Sequence, residues 1–145
     1  MKRYLATLIL TFTLVLTGCT FSNTSSSQDS INHFFVAFQQ EDYENMKSYC
    51  DENMMQYFNN IDGIEAFFGH KNAELINIEK IDTDQKMIKD YFYTATNNDY
   101  IVYRVAYKGE VAPYSSRTSN ETIQLSFLLE FINNEWKITA ISSEY

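Results

Sequence analysis

The sequence predicts an α+β domain, with two to three N-terminal helices packed on an antiparallel sheet. Three observations carry that reading. Apolar residues recur at three-and-four spacing between Ile31 and Phe68, they alternate from Tyr100 onward, and Asn133-Asn134 joins the last two alternating runs.

The first helix follows from Ile31, Phe34, Phe35 and Phe38, which fall at i, i+3, i+4 and i+7. Ser27, Asp29 and Ser30 are its N-cap candidates, and Gln39-Gln40-Glu41-Asp42 ends the stripe. Asp42 can cap a second helix, whose stripe is Tyr43, Met46, Tyr49, Cys50, Met54, Tyr57 and Phe58; Asn59-Asn60 breaks it. A short third helix spans Ile61 to Phe68, with Ile64, Phe67 and Phe68 inward and Gly69 as the stop.

The period then changes. Leu75 to Ile81 reads as a strand and Asp82-Thr83-Asp84 as a turn. In Gln85 to Thr96 the residues Met87, Ile88 and Tyr91 suit a helix, whereas Tyr91 to Thr96 is β-rich, and a strand is favoured for this second half. Tyr100 to Lys108 is a strand with a bulge at Gly109, and a polar loop surrounds Ser115 to Asn120. Thr122 to Ile132 is the clearest strand, because Ile123, Leu125, Phe127, Leu129 and Phe131 alternate strictly. Asn tolerates the left-handed backbone that a two-residue hairpin needs, so Asn133-Asn134 leads into a closing strand, Glu135 to Ser142.

The chain has 145 residues, which suits one domain, and its 45% hydrophobic content is too high for a disordered chain. Its net charge of −8 repels phosphate backbones and argues against nucleic-acid binding. Two cysteines are too few for a disulfide scaffold or a four-ligand zinc site.

The N-terminus, MKRYLATLILTFTLVLTGC, has the order of a secretory signal: Lys2 and Arg3, an uncharged run from Tyr4 to Thr17, then small residues before Cys19. That run is about 21 Å long as a helix at 1.5 Å per residue, short of the roughly 30 Å hydrocarbon core. Leu16-Thr17-Gly18-Cys19 matches a lipobox, and here the chain resembles bacterial lipoprotein precursors. The resemblance implies cleavage between Gly18 and Cys19, acylation of the Cys19 thiol, and an extracytoplasmic domain lipid-anchored to the bacterial cell membrane. The expected organisation is a signal peptide over 1–18, a lipidated cysteine and flexible tether over 19–28, and one domain over 29–145. Loss of Lys2 and Arg3 would leave nine basic against 19 acidic residues, a charge of −10.

The helix pair INHFFVAFQQEDYENMKSYC and the terminal hairpin LSFLLEFINNEWKITAIS give the folded part a resemblance to the nuclear transport factor 2-like superfamily, over roughly residues 30 to 142. The resemblance implies a curved sheet wrapped round the helices as a cone, with dimers through the outer sheet face. Enzymes of that fold project a carboxylate, His, Tyr or Arg into the cone.

Alternation lets the lining be read. Ile123, Leu125, Phe127, Leu129 and Phe131 share one face with Ile101, Tyr103, Val105, Tyr107, Trp136, Ile138 and Ala140. That set holds no Asp, Glu, His, Arg or Lys, and Arg104, Lys108, Glu130 and Lys137 alternate to the other face. Acid/base work needs a titratable group within reach of a substrate, and only Tyr103 and Tyr107 offer one here. His33 lies about 200° round its helix from Ile31, which faces it to solvent, and His70 follows Gly69, where it caps carbonyls or faces water; both stay beside Tyr103 and Tyr107 as acid/base or ligand candidates. Cys50 reads as a buried small hydrophobe, with intermolecular pairing or a reactive thiol as its alternatives, and Glu41, Asp42, Glu44, Asp51 and Glu52 as a solvated acidic face. No zincin motif, nucleophile elbow or glycine-rich phosphate loop is present, so no cofactor or metal is expected.

The opposite sheet face mixes Val102, Ala106, Leu128 and Ile141 with polar residues, which suits either a partner face, for a homodimer or an envelope protein, or cover by another part of the chain. The sequence-level reading is a membrane-tethered, non-enzymatic binding or interaction domain. Its alternatives are a small isomerase-, dehydratase- or hydrolase-like enzyme, using Tyr103 or Tyr107 with a carboxylate from a helix or from Gln85 to Thr96, and a carrier of an apolar ligand.

Overall fold

The computed structural model describes residues 26–56, 58, 61–113, 115 and 121–143. The lipobox with Gly18 and Cys19, most of the expected tether, and Asn59-Asn60 lie outside the described residues. Over the described residues the fold is α+β: five helices and a four-stranded antiparallel sheet in the order β1-β2-β3-β4.

Helix α1 (Ser27–Gln39) begins earlier than the expected domain start at Asp29. Its cap is Ser26 rather than Ser27, Asp29 or Ser30. The Ser26 hydroxyl accepts from the Asp29 N–H at 3.2 Å, and the Asp29 carboxylate accepts from the Ser26 N–H at 3.0 Å, a reciprocal capping box. Ser27 and Ser30 face the core instead, at 6% and 2% exposure.

The expected second helix is divided into α2 (Tyr43–Ser48) and α3 (Glu52–Met55). The break has a tertiary cause. Ile138 donates its N–H to the Tyr49 carbonyl at 2.8 Å, and Asp51 donates its N–H to the Ile138 carbonyl at 3.0 Å. Cys50 is thereby held as a one-residue parallel bridge on the edge of β4 (Glu135–Ser142). Asp42 and Asp51 then cap α2 and α3 through the N–H groups of Asn45 and Met54.

Helix α4 (Ile61–Phe68) ends at Gly69, whose φ of 73° is the left-handed stop that the sequence predicts. Its orientation differs from the expectation. Ile64, Glu65 and Phe68 are buried, and Phe67 is 47% exposed.

Strand β1 (His70–Ile81) starts directly after Gly69, and β2 (Tyr100–Val111) runs past the expected end at Lys108. Gly109 is in the strand, but the extra residues are on its partner. Lys71 pairs with Glu110 and Glu74 with Lys108, so Asn72 and Ala73 oppose Gly109 alone; a second extra residue, Ile76, falls between Leu75 and Asn77. Asn72 takes a positive φ of 50°. Gly109 is required by close approach, since a Cβ there would stand 2.5 Å from the Lys71 carbonyl oxygen.

Helix α5 (Gln85–Phe92) settles the ambiguous first part of that segment as helix and takes in Tyr91 and Phe92; the strand favoured for Tyr91 to Thr96 does not form, and 93–96 is irregular. Asp84 caps it at 2.8 Å through the Met87 N–H, and Tyr93, at φ 55°, ends it. Burial decides against the local β preference. Ile88 and Phe92, one turn apart, pack with Val102 and Leu128 in a small outer core that Ile81, Tyr91, Tyr100 and Ala140 border. Each such burial is worth roughly 1.5–3 kcal/mol, against a β-propensity scale that spans about 1 kcal/mol per residue.

Strands β3 (Ile123–Ile132) and β4 form the expected hairpin, with φ of 52° and 67° at Asn133 and Asn134. Thr139 is an extra residue opposite the Leu128–Leu129 step. It reverses the side-chain parity of β4. Ile138 belongs to the main core, Ala140 packs on the outer core rather than inward, and Ile141 packs inward rather than outward.

The main core lies between the inner sheet face and helices α1 to α4. Its centre is a ring cluster of Phe34, Phe35, Phe38, Phe68, Tyr107 and Phe127, with centroids 5.1 to 6.5 Å apart.

Candidate functional site

The inner-face tyrosines are both held by the protein. The Tyr103 hydroxyl is 2.8 Å from the Ser27 hydroxyl, and Tyr107 donates to the Phe68 carbonyl at 2.8 Å. Tyr107 is fully buried and Tyr103 is 7% exposed, so neither presents a free proton donor to a substrate.

The histidines separate. His33 is exposed on α1, as expected, with its ring 5.7 Å from that of Tyr49. His70 departs from expectation: it is the first residue of β1, fully buried, and its ring lies edge-on to Tyr107 at 6.1 Å. Gly69 ends α4 and the next residue joins the sheet, which carries the imidazole into the core rather than to water.

Cys50 is buried, as its place in the stripe predicts. Burial, with the Asp51 charge beside it, pushes its thiol up to about 12, against a smaller opposing effect of Lys137. The neutral thiol is a packing group, not a nucleophile. In the acidic patch, Asp42 and Asp51 serve as helix caps and Glu44 pairs with Lys47 at 2.9 Å. Among the described residues, no group of three His, Cys, Asp or Glu side chains is placed to hold a metal ion. Among them, too, no helix is long and apolar enough to cross a membrane.

Two buried carboxylates escape the alternation argument. Glu65 accepts from the Tyr43 hydroxyl at 3.2 Å, and desolvation followed by the Glu65 charge raises that phenol to about 12. Glu130, 8% exposed, accepts from Thr96 Oγ1, from Asn98 Nδ2 at 2.8 Å and from Thr139 Oγ1 at 3.1 Å. These neutral donors tie the 94–99 segment to the sheet. Glu65 could have been found by testing the 64-65-68 face of α4. Glu130 could not, because its burial depends on α5 and the following segment folding across the outer face.

That cover also changes the expected partner face. Val102, Ala106 and Leu128 are 1%, 7% and 0% exposed within the single chain, and Ile141 has moved to the inner side. For Val102 and Leu128 the cover is another part of the chain, α5. Farther along the outer face, Lys71–Glu110, Glu74–Lys108 and Glu79–Arg104 pair across β1 and β2 at 3.3 to 3.7 Å.

An open volume of about 460 Å³ lies over Lys47, Asp51, Glu52 and Lys137 beside the first half of β4, and uncharged surface opens beside its second half. One groove of about 440 Å³ runs between Phe67 of α4 and the Tyr91–Tyr93 end of α5, with Tyr107, Leu125 and Ile141 at its base. A second, of about 490 Å³, continues past Asn53, Met54 and Gln56 along Thr139 to Ile141. The two share Phe67, Phe92, Tyr93 and Ile141, and among the described residues no Asp, Glu, His, Lys or Arg lines either. The sequence signal for this groove was Phe67, assigned inward with its neighbours.

Comparison with protein-family models, with curated proteins and with solved structures returns no match.

Proposed function

We propose that this chain is a lipid-tethered, extracytoplasmic lipoprotein whose folded part is a nuclear transport factor 2-like cone acting as a non-enzymatic binding domain. The observation that carries the binding reading is the filled interior. The ring cluster around Phe68 occupies the space that a reacting substrate or an apolar cargo would need, and Tyr103 and Tyr107 are hydrogen-bonded within the protein. The carboxylate–tyrosine pair on the helical side, Glu65 with Tyr43, is buried at 7% and 8% exposure. Support for the tether is the basic start, the apolar run and Leu16-Thr17-Gly18-Cys19.

Metabolic labelling with an alkyne fatty acid tests the tether: the wild-type chain should carry label and Cys19→Ser should not. Label on Cys19→Ser would refute it. For the binding domain, p-benzoylphenylalanine in place of Phe67 should give a discrete photo-adduct in cells, and the same residue in place of Ile76 on β1 should not. No adduct at either position would refute a binding domain with its site beside β4.

A further inference from the structure

We propose that the trough beside β4 is a binding site for a neutral oligosaccharide, a ligand class that deepens the binding-domain reading and rests on it. The argument starts from exposed aromatic surface. Two aromatic side chains, Phe67 at 47% and Tyr93 at 81%, are strongly exposed among the described large hydrophobics, and both border this trough. They come from α4 and from the end of α5, separate elements that face each other only in the fold.

Tyr93 is held at φ 55°, where a β-carbon is costly by about 1 kcal/mol and glycine would be free. That left-handed turn is the C-cap of α5, and it fixes where the exposed ring leaves the helix.

The polar lining narrows the ligand. Asn53, Gln56, Thr94, Thr139, Ser142 and Ser143 are all neutral amides or hydroxyls. Charged residues make up 21% of the chain, yet none of those described lines the trough. An anionic ligand would call for Arg or Lys, and a cationic one for carboxylates. A pyranose ring has the matching chemistry. Its C–H faces are apolar and stack on aromatic faces, while its hydroxyls both donate and accept, as amide and hydroxyl side chains do.

The two volumes each lie within the usual range of about 300–1,000 Å³ for ligand sites, and with four lining residues in common they adjoin, which suits several linked rings better than one.

The test is titration calorimetry of the full chain in a sugar-free zwitterionic detergent against three neutral hexasaccharides: β-1,4-linked N-acetylglucosamine, β-1,4-linked glucose and α-1,4-linked glucose. The expected result is saturable binding of at least one, with Kd below about 1 mM. Phe67→Ala and Tyr93→Asn should each weaken it by roughly tenfold, while Ile76→Ser should leave it within about twofold. Asn keeps the left-handed backbone at position 93, so loss there reports the ring rather than the fold.

Absence of saturable binding by all three, or binding that neither aromatic substitution weakens, overturns the proposal. The photo-adduct at position 67 separates this failure from failure of the binding domain itself. A protease-resistant, glycosidase-sensitive adduct supports the carbohydrate. A protein adduct overturns the carbohydrate while leaving the binding domain standing.

Discussion

Replacing Gly109 with Ala tests whether the first β1 bulge is as tightly built as its geometry indicates. A Cβ at 109 would lie 2.5 Å from the Lys71 carbonyl oxygen, 3.1 Å from the His70 Cβ and 3.2 Å from the Ala73 Cα. None of these is the far end of a flexible side chain. The Lys71 oxygen belongs to the strand backbone just before Asn72, and His70 and Ala73 are both fully buried. Relief therefore requires the bulge to move off β2, and the cost should reach the upper part of the overpacking range, about 2–3 kcal/mol. Urea unfolding followed by far-UV circular dichroism reads this as a lower midpoint at unchanged slope. Asn72→Gly is the companion substitution. It removes the left-handed cost at φ 50° without touching Gly109 and should be neutral or stabilising by up to about 1 kcal/mol. A Gly109→Ala cost below about 0.5 kcal/mol would show that the bulge yields freely, and the reasoning about its packing would be wrong.

Tyr107→Phe removes the hydroxyl that donates to the Phe68 carbonyl in the core and should cost about 1–3 kcal/mol by urea unfolding, whereas a reacting tyrosine would show little effect on stability. Cys50 and Tyr43 both titrate near 12 in the folded chain, above their ordinary values of 9.0 and 10.0, so the folded state retains protons that the unfolded state has lost. Stability should hold below about pH 9 and fall as pH rises towards 12; a rise over that window in a denaturant series would contradict both assignments. Ile88→Ala with Phe92→Ala removes the apolar contacts of α5 and should destabilise by several kcal/mol, about 2–5 for each if independent; a double mutant unchanged in urea midpoint would show that α5 does not hold the outer face.

How much of this was legible in the sequence depended on how local each feature is. Helix α1 and the β3–β4 hairpin were readable because their determinants lie within a few residues: the Ile31–Phe38 stripe, strict alternation from Ile123, and two asparagines able to take positive φ. Two missed features, the Ser26 cap and the buried Glu65 face of α4, are local; the others depend on a distant partner. The 43–58 stripe is helical in period, yet it breaks at Cys50 because the Ile138 backbone, 88 residues away, takes the hydrogen bonds on either side. A bulge is defined only against the opposing strand, so Thr139 could not be recognised as the residue that turns Ala140 outward and Ile141 inward. The Tyr91–Thr96 stretch carries strand-forming residues, and only the apolar face of Val102 and Leu128 waiting beneath it makes the helix through Phe92 the better solution.

These long-range effects also bear on where function could sit. Alternation alone left a half-apolar outer sheet face and suggested a partner surface there, but α5 covers Val102 and Leu128, and Glu130 binds the segment after that helix. With the inner face filled by rings, the Val102–Leu128 part of the outer face covered by α5 and the rest of that face on β1 and β2 carrying ion pairs, the uncharged open surface lies on the β4 side. There the Thr139 bulge turns the strand, the Tyr49–Asp51 crossing occupies only its first half, and Phe67 and Tyr93 border its second half. The bulge, the helix break and the strained end of α5 thus converge on one place. Three departures from regular structure, each invisible to periodicity, together leave the neutral, aromatic-edged trough open.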